Sequence, residues 1–596
     1  MIDRSMDASH MPPSITSTEG PWWKRAVAYQ IYPRSFQDSN GDGVGDLQGV
    51  INRLDYLKWL GVDVIWLSPI YPSPHSDGGY DVSDYRDIDP LFGTLQVFQE
   101  LLAAVHERGM RLLMDIVVNH SSDEHPWFLD SKSSVNSPRR NWYWWRTSPT
   151  AAEPPNNWES RFSGSAWEFD NASGQYYLHL FATKQPDLNW ENPLVREAVY
   201  DMMRWWLDLG VDGFRMDVIN FISKAPELPD GAPTDGTPYG DGKPYYTNGP
   251  RLHEFLQEMH REVVAGQDAA LLIVGETPQS TTEDARLMTD PDAYELDMVF
   301  QFEHVTIDHG QNKWDPQPLR LSRLKRSLGQ WQEALAETGW NSLYWNNHDQ
   351  PRIVSRWGDD GVHRQISAKA FGTVLHMHRG TPYVYQGEEI GMTNPTLTSI
   401  ADFTDIQSRN HYAEAVEQLG ADPEKTLTSM RPLARDNGRT PVQWSSETNA
   451  GFSDAVPWMA VNANYTLINV DDQRQDRNSV LAHYRELIRL RHSSDLIALG
   501  SCRLTHLDHE QLYVIERSYQ REQALIIANL STDPADVPDD LRRPAELTLV
   551  SSNYPDSPDT PAGMRTLRPW EALVFMSYHA AATALGAGEG TVRRRS

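Results

Sequence analysis

The segment LLMDIVV at positions 112–118 is the clearest structural signal in the chain. Six of its seven residues are apolar, and helical patterns lie on both sides of it, over Val97–Arg108 and over Val195–Leu209. An apolar run without alternation is typical of a parallel strand that helices cover on both faces. The segment therefore predicts an α/β fold that is built on a buried parallel sheet.

The alternation of short apolar runs and helical patterns continues in both directions from this segment. The further strand candidates are Val27–Tyr32, Val64–Leu67, Gly213–Met216, Leu271–Val274, Met298–Phe302, Ser342–Trp345 and Tyr383–Tyr385. Together with the central segment they make eight strands, most of which are separated by helical patterns. This order predicts a (β/α)8 barrel, the TIM-barrel fold.

The alternation is interrupted twice. About seventy residues rich in Trp, Asn, Pro and Ser follow the third strand, and a structureless loop of that length is uncommon, so we predict an inserted subdomain. After Leu490, short strand-like segments between polar turns predict a C-terminal antiparallel β-domain. The assigned ranges are 1–20 for a disordered arm, 21–119 and 194–495 for the barrel, 120–193 for the subdomain, 496–579 for the β-domain and 580–596 for a flexible tail.

Composition and charge exclude several classes of function. Acidic residues outnumber basic residues by 82 to 53, a net charge of −29, whereas nucleic-acid and anionic-membrane partners require basic patches. No apolar run approaches the roughly 18 residues of a membrane span, and the first twenty residues lack a signal-peptide core. A single cysteine, Cys502, excludes an internal disulfide. We expect a cytoplasmic protein without a nucleic-acid or membrane partner, and the oligomeric state stays open.

Residues with catalytic chemistry follow four of the predicted strands. The carboxyl ends of the strands of a (β/α)8 barrel meet at one rim, where the active site lies. The third strand is followed by Asn119–His120, the fourth ends with Arg215 and Asp217, the fifth ends at Glu276, and the seventh is followed by Asn347–His348–Asp349. Three carboxylates and two histidines are therefore predicted to converge on one site.

Two of these carboxylates suit glycoside hydrolysis, which requires an ionised nucleophile and a protonated acid. Arg215 and Asp217 are two residues apart on a strand, so their side chains point to the same face. A guanidinium beside Asp217 would keep that carboxylate ionised. Glu276 follows an apolar strand, and burial would raise its pKa as the acid role requires.

Four stretches carry the residues at the strand ends: DIVVNH (115–120), GFRMDVI (213–219), GET (275–277) and NHDQPR (347–352). They look like the four conserved regions of the α-amylase family (family 13) of glycoside hydrolases, and QPDLNW (185–190) looks like the additional region of that family. Within the family, AVAYQIYPRSFQDSNGDGVGDLQGV (26–50), GGYDVSDY (78–85) and RDNGRTPVQW (435–444) resemble the oligo-1,6-glucosidases and related α-glucosidases. The resemblance extends from about Trp22 to the end of the β-domain.

The resemblance assigns catalytic roles by position. Asp217 would be the nucleophile and Glu276 the general acid/base, while Arg215 would hold Asp217. Asp349 would be the third carboxylate, which stabilises the transition state and grips sugar hydroxyls. The reaction would proceed through a covalent glucosyl-enzyme with retention of configuration, and it would need no organic cofactor.

The resemblance also implies a pocket for one terminal glucose. His120 and His348 would hydrogen-bond its hydroxyls, and Tyr80 would be the stacking platform beneath it. Asp77 and Arg435 would form a charged pair that closes the pocket, which would make the enzyme exo-acting. Asp77 also fits a turn residue in an Asp-Gly-Gly sequence, and Arg435 and Arg439 each also fit a surface role, so these alternatives stay open.

The loop D-S-N-G-D-G-V-G-D at 38–46 carries an oxygen ligand at every second position. It resembles the first half of an EF-hand loop, although the twelfth position is Gly49 rather than Glu. In the glucosidase subgroup this loop looks like a calcium site, whose ligands would be Asp38, Asn40, Asp42, the Val44 carbonyl and Asp46. An Asx-rich turn is the alternative, and we favour a structural Ca²⁺.

The sequence predicts an α-glucosidase that acts on small oligosaccharides. Val218 follows the nucleophile, where the subgroup resembles a linkage switch with Val for α-1,6 and Thr for α-1,4 links, so we expect isomaltose-type substrates. The nearest alternative is an α-glucosyltransferase or a sucrose or maltose isomerase of the same family. Its Arg-Leu-Asp-Arg-Asp motif is not found in FQFEHVTIDHGQNKW (300–314). A non-catalytic barrel is the other alternative, and the presence of all three carboxylates disfavours it.

Overall fold

The computed structural model describes residues 20–148, 153–234, 237–267, 270–542, 546–577, 580, 581 and 583. The predicted arm over residues 1–20 lies outside the described residues except for Gly20. Nearly all of the predicted tail over 580–596 also lies outside them, so both predictions stay untested.

Eight parallel strands form the centre of the molecule. They are β1 Ala28–Ile31, β2 Val64–Leu67, β3 Arg111–Val117, β4 Gly213–Asp217, β5 Leu272–Glu276, β6 Met298–Phe300, β7 Ser342–Leu343 and β8 Thr381–Tyr385. Their order in the sheet is β6-β5-β4-β3-β2-β1-β8-β7. A parallel bridge between Val299 and Asn341 brings β6 next to β7 and closes the ring. The predicted (β/α)8 barrel is therefore confirmed.

Helices cover the outside of the barrel and connect its strands. The α-helices are Leu47–Leu60, Leu95–Glu107, Pro126–Ser133, Pro193–Asp208, Lys243–Tyr246, Leu252–Met259, Thr282–Met288, Leu321–Ala334, Ile353–Arg356, Arg364–His376, Ile406–Tyr412, Pro423–Met430, Asp436–Arg439, Val470–Gln475, Val480–Ser493 and Asp495–Ala498. Local sequence determines several of their ends. Asp46 caps the first helix by accepting from the Gly49 N–H, and Gly61 ends it in the left-handed conformation with φ 104°.

The strand register brings polar residues of neighbouring strands side by side. Asp115 on β3 pairs with Arg215 on β4, and Val117 pairs with Asp217. On the other side of β4, Arg215 pairs with Val274 of β5. Residues at matching heights on adjacent strands therefore present their side chains at the same level of the barrel.

A small antiparallel sheet follows β3, as the predicted inserted subdomain requires. Its three strands are Trp145–Arg146, Gln175–Leu178 and Trp167–Asp170. Aromatic residues of this insertion, including Trp144, Trp158 and Trp167, pack into one buried cluster. Their burial indicates that these tryptophans stabilise the subdomain.

The segment between β8 and the helix Val480–Ser493 is long, and no elements were predicted in it from the sequence. It contains Ile406–Tyr412, the π-helical turn Ala413–Gln418, Pro423–Met430 and Asp436–Arg439. These elements bring Arg435 and Arg439 to the carboxyl ends of the strands, because Arg439 donates to the backbone carbonyl of His348.

The C-terminal β-domain contains a five-stranded antiparallel sheet. Its strands are β9 Ser501–Thr505, β10 Leu512–Tyr519, β11 Glu522–Asn529, β12 Leu547–Ser552 and β13 Ala572–Ser577, in the order β9-β10-β11-β13-β12. The antiparallel architecture was predicted, whereas the exact domain boundaries stay predictions. Within the described ranges, no helix combines the length and the apolar character that a membrane crossing needs.

Candidate active site

Arg215 lies at the centre of a cluster of three carboxylates. Its Nη1 lies 2.8 Å from Oδ1 of Asp115 and 2.8 Å from Oδ1 of Asp217, and its Nη2 lies 2.7 Å from Oε2 of Glu276. Only 2% of the Arg215 side chain is exposed. The contact of Arg215 with Asp217 was predicted from the sequence, whereas its contacts with Asp115 and Glu276 were not. Asp115 opens the quoted motif DIVVNH, and its register with Arg215 explains its place here.

Burial and neighbouring charges give the two predicted catalytic carboxyls different pKa values. Burial raises the pKa of Asp217 to about 6, although Arg215 opposes the rise. Burial and the charge of Asp217 raise the pKa of Glu276 to about 8, again against Arg215. The expectation that the guanidinium dominates at Asp217 was therefore incomplete. Near neutral pH, Asp217 is ionised while Glu276 keeps its proton, which is the division that a nucleophile and an acid require.

Val218 connects the ends of β4 and β5 through its backbone. Its N–H donates to Oε2 of Glu276 over 3.1 Å. Its φ of 35° and ψ of 41° lie in the left-handed region, which β-branched residues rarely adopt. The side chain is buried and packs in the same apolar cluster as Leu180 and Phe221. A packing role and a place beside the acid therefore coincide at this residue.

Two arginines grip Asp349 from the segment after β8. Arg435 Nη2 donates to Oδ2 of Asp349 over 2.7 Å, and Arg439 Nη2 donates to Oδ1 over 2.8 Å. Burial opposes ionisation, but Arg435 and Arg439 hold the pKa of Asp349 well below its ordinary value. The side chains of Arg435 and Arg439 are only 13% and 5% exposed. The surface alternative is therefore wrong for both arginines.

Asp77 joins this arginine pair and also forms a turn. Its Oδ1 lies 3.1 Å from Nη1 of Arg435, and its Oδ2 accepts from the Gln185 amide over 3.1 Å. Its carbonyl accepts from the N–H of Tyr80, so the turn and the pocket interpretations are compatible. Burial raises the pKa of Asp77 to about 7, although Arg435 and Arg439 oppose the rise.

The two predicted histidines lie in the same network and are neutral. The ring of His348 stacks on Tyr80 with 5.1 Å between centroids, and the Tyr80 hydroxyl donates to Oδ2 of Asp115. Nε2 of His120 lies 3.2 Å from the Gln185 amide. Burial lowers the pKa of His120 to about 4 and that of His348 to about 3. Nδ1 of His348 faces the Gln30 amide, which leaves Nε2 as its N–H donor.

An unbroken series of contacts therefore joins all of the predicted catalytic and glucose-binding residues. The series runs from Asp217, Val218 and Glu276 through Arg215, Asp115 and Tyr80 to His348 and Asp349, and on through Arg435, Asp77 and Gln185 to His120. The geometry brings the residues together, while the role of each one stays a prediction.

A fully buried ion pair attaches the inserted subdomain to this rim. Nζ of Lys224, in the segment after β4, lies 2.9 Å from Oδ2 of Asp187, and neither side chain is exposed. Lys224 also donates to Oδ1 of Asn119 over 3.0 Å. The sequence analysis did not predict this pair, although Asp187 lies in the quoted motif QPDLNW.

The loop 38–46 forms a series of backbone turns around its side-chain oxygens. Asp38 accepts from the N–H groups of Asn40, Gly41 and Gly43. The N–H groups of residues 42 and 44 donate to the side chains of residues 40 and 42 in the same way. The described residues contain no cluster of three His, Cys, Asp or Glu side chains that could hold a metal. The Asx-turn alternative describes these contacts, and the calcium site stays a prediction.

Comparison with known proteins places this geometry in a family. Residues 30–500 match the model of the alpha amylase catalytic domain. The oligo-1,6-glucosidase of Parageobacillus thermoglucosidasius is 54% identical over 94% of this chain and 99% of its own length. The α-glucosidase of Pediococcus pentosaceus is 48% identical over 93% of this chain and 98% of its own.

Solved structures lead to the same conclusion. The trehalose-6-phosphate hydrolase of Bacillus licheniformis superposes with a TM-score of 0.87 at 45% identity, and the trehalulose synthase of Pseudomonas mesoacidophila MX-45 with 0.88 at 41%. Each match covers 94% of this chain and all of the other. With its eight-stranded barrel, its inserted subdomain and the carboxylates at its strand ends, this chain belongs to the α-amylase family (family 13) of glycoside hydrolases.

Proposed function

We propose that the protein is a retaining, exo-acting α-glucosidase that hydrolyses terminal α-linked glucose from short oligosaccharides, with α-1,6 links preferred. The observation that carries the proposal is the shared contact of Arg215 with Asp217 and Glu276, whose pKa values lie on opposite sides of neutrality. Because the reaction needs one ionised and one protonated carboxyl, this pair is suited to glycoside cleavage near pH 7.

The proposed reaction uses side chains alone. The Asp217 carboxylate attacks the anomeric carbon while Glu276 gives its proton to the departing glycosidic oxygen, so that the aglycone leaves as an alcohol. The ionised Glu276 then takes a proton from water, whose oxygen displaces Asp217 and releases glucose with retained configuration. Asp349 is held ionised by its two arginines and would stabilise the positive charge of the transition state. No organic cofactor is required.

The exo-action follows from the charged groups that face Asp349. Asp77 and Arg435 form a buried pair beside that carboxylate, and such a pair binds sugar hydroxyls strongly and directionally. At the position where a terminal glucose carries only a hydroxyl, a glucose inside a chain carries a further sugar. The Asp77–Arg435 pair would block that further sugar, so only chain ends would enter the pocket. The ring of Tyr80 stacks on His348 and lies 6.0 Å from the Arg215 guanidinium, so it is fixed in the network where it would form the platform beneath the sugar.

The preference for α-1,6 links rests on Val218 and on the relatives. Val218 follows the nucleophile and contacts the acid through its backbone. Relatives named oligo-1,6-glucosidase are 50–54% identical to this chain. Relatives named trehalose-6-phosphate hydrolase or trehalulose synthase act on other sugars with the same fold, so transfer or isomerisation is the competing outcome of the test.

The test is product analysis with a panel of glucose disaccharides and sucrose. Release of glucose from isomaltose, first as the α-anomer, would support the proposal. An isomer of sucrose as the main product would instead show that the protein is a sucrose isomerase. Asp217→Ala should lower kcat by several orders of magnitude. Asp297→Asn is the matched control, because Asp297 bonds to the N–H of Ile273 at the opposite end of β5 and should leave kcat within about twofold.

The acid role of Glu276 has its own test. Glu276→Gln should slow isomaltose hydrolysis far more than hydrolysis of a nitrophenyl α-glucoside, whose leaving group needs little protonation. Equal losses on the two substrates would argue against the acid role. An intact protein that turns over neither substrate before any substitution would instead favour the non-catalytic barrel.

We also propose that the loop 38–46 holds one structural Ca²⁺. Carboxylate, amide and carbonyl oxygens at every second position are the ligands that hard divalent cations prefer. The residues that would supply them are Asp38, Asn40, Asp42, Val44 and Asp46. The side chains of Asn40 and Asp42 are exposed, so turning towards a cation would break only the hydrogen bonds that they accept from the N–H groups of residues 42 and 44. None of the catalytic steps above involves this loop. We also propose that the protein is cytoplasmic.

A further inference from the structure

A fully buried carboxylate lies between a helix and the arginine pair in the segment after β8. The side chain of Asp405 is 0% exposed. Its Oδ2 accepts from the N–H and from the hydroxyl of Ser408, both over 2.9 Å, and so caps the helix Ile406–Tyr412. Its Oδ1 faces Nη1 of Arg435 at 3.4 Å and Nη1 of Arg439 at 3.7 Å. The Asp405 side chain therefore contacts both the helix and the arginine pair.

The capped helix, which we call the bridging helix, connects two other parts of the molecule. Gln407 and Asn410 donate to the carbonyls of Arg161 and Phe162 in the inserted subdomain. In the segment after β6, Lys313 donates to Oε1 of Gln407 over 2.6 Å. The guanidinium of Arg435 lies over the ring of Phe162, 5.1 Å from its centroid. The bridging helix is therefore fixed to the same surroundings as the arginine pair.

Asp349 and Asp405 are the carboxylates that face both guanidinium groups. Arg435 and Arg439 each lie 2.7–3.7 Å from the two of them. Asp77 and Lys313 are only partly charged near neutral pH, because burial raises the pKa of Asp77 to about 7 and lowers that of Lys313 to about 7. Burial opposes ionisation of Asp405, but Arg435 and Arg439 hold its pKa below the ordinary value. Without this charge, the two neighbouring guanidinium groups would repel each other with one counter-ion fewer.

We infer that Asp405 is a positioning residue, which holds the bridging helix with one oxygen and the arginine pair with the other. Through this double contact, the docking of the helix fixes Arg435 and Arg439 in the geometry that grips Asp349 and binds the terminal glucose. The inference rests on the proposed function for the identity of the sugar. It requires no direct contact between Asp405 and the substrate. The geometry of the two pocket arginines would then depend on a residue that lies outside the barrel strands.

Asparagine separates the two contacts, because its side-chain oxygen can still cap a helix while its charge is absent. Asp405→Asn should therefore leave the melting temperature within a few degrees of wild type. The misplaced arginines should lower kcat/KM on isomaltose by about a hundredfold. The dissociation constant of glucose, measured directly by calorimetry, should rise at least about tenfold, since Arg435 binds its hydroxyls.

Two further variants provide the contrast. Ser408→Ala removes only the hydroxyl that donates to Oδ2, so it should lower the melting temperature while keeping kcat/KM and glucose affinity within about twofold. Asp422→Asn changes the aspartate that caps the next helix, Pro423–Met430, through the N–H of Lys425. It should leave all three quantities unchanged. A role in folding alone would instead make Asp405→Asn resemble Ser408→Ala.

The calorimetric measurement separates the two proposals. Weaker glucose binding in Asp405→Asn supports the positioning role even if the wild type fails to hydrolyse α-glucosides, and that failure would reject only the proposed function. Wild-type turnover together with unchanged kcat/KM and glucose affinity in Asp405→Asn would reject the positioning role. Equal losses in Asp422→Asn would also overturn it.

Discussion

The backbone N–H of Val218 donates to Oε2 of Glu276, so the loop after the predicted nucleophile holds the predicted acid. A β-branched residue with φ 35° is strained, and only the surrounding packing can maintain it. This hydrogen bond favours the ionised form of Glu276, whereas burial and the charge of Asp217 favour the protonated form and prevail. The position and the acidity of Glu276 therefore both depend on the last residue of β4 and on the residue that follows it.

The pH dependence of kcat/KM should be bell-shaped with a maximum near neutrality. Below about 6, the pKa of Asp217, the nucleophile is protonated and activity falls. Above about 8, the pKa of Glu276, the acid has lost its proton and activity falls again. Initial rates on isomaltose across about six pH units would define both limbs. Glu276→Gln should lose the alkaline limb on a nitrophenyl glucoside, and a wild-type profile that still rises above pH 9 would contradict the assignment.

Val218→Thr should raise activity on maltose relative to isomaltose. The two side chains are nearly isosteric, but the hydroxyl adds a donor and an acceptor on the aglycone side, where about ten- to a hundredfold discrimination is typical of one such group. The measurement is the ratio of kcat/KM for the two disaccharides. Val211→Thr, the same exchange in the turn before β4, should leave this ratio unmoved. A wild type that prefers maltose would overturn the linkage prediction but leave the glucosidase proposal intact.

Lys224→Met should destabilise the protein strongly. The substitution leaves Asp187 charged and buried without its partner, which typically costs about 3–5 kcal/mol. Denaturant titration would measure the free energy of unfolding. Lys243→Met is the matched control, because Lys243 pairs with Asp241 at 3.5 Å on the surface, where both side chains are about two-fifths exposed, and such pairs contribute about 0–1 kcal/mol. Equal effects of the two substitutions would contradict the importance of the buried pair.

Removal of divalent cations should lower the melting temperature while activity at room temperature is largely retained, because a cation that binds only the folded state stabilises it by mass action. Asp42→Asn should reduce the shift that a chelator causes. Asp84→Asn should not, although Asp84 forms the same type of turn with the N–H of Arg86. The calcium site would be rejected if chelation caused no shift and elemental analysis found no bound metal.

The barrel and the convergence of carboxyls at its strand ends were predictable from sequence because both depend on local patterns. Continuous apolar runs mark buried parallel strands, and the carboxyl ends of such strands share one rim. Glu276 could therefore be placed near Asp217 although the two lie 59 positions apart along the chain. The pairing of Asp115 with Arg215 could not be read in the same way, because it depends on the register between β3 and β4.

The other half of the site lies in a segment whose sequence has no apolar periodicity. Asp405, Arg435 and Arg439 lie on short helices and turns after β8, where no apolar pattern indicates which face is buried. Their importance arises from contacts with residues as distant in sequence as Asp77, 358 positions away from Arg435. The resemblance to the glucosidases singled out Arg435, but it gave no reason to choose between a buried and a surface Arg439. Only the three-dimensional arrangement showed that both arginines grip Asp349.

The bridge between Val299 and Asn341 closes the barrel at a sparsely hydrogen-bonded junction between β6 and β7, which we call the seam. Among the described residues, β6 and β7 share this one backbone pair, whereas β4 and β5 share four. Asp217 and Glu276 lie on β4 and β5, and the four backbone pairs between these strands fix the separation of the two carboxyls. Asp349 lies beyond the seam and depends on its two arginines instead. Warming should therefore displace Asp349 relative to Asp217 and Glu276 before it separates those two carboxyls, and among the barrel strands amide exchange should be fastest along β7.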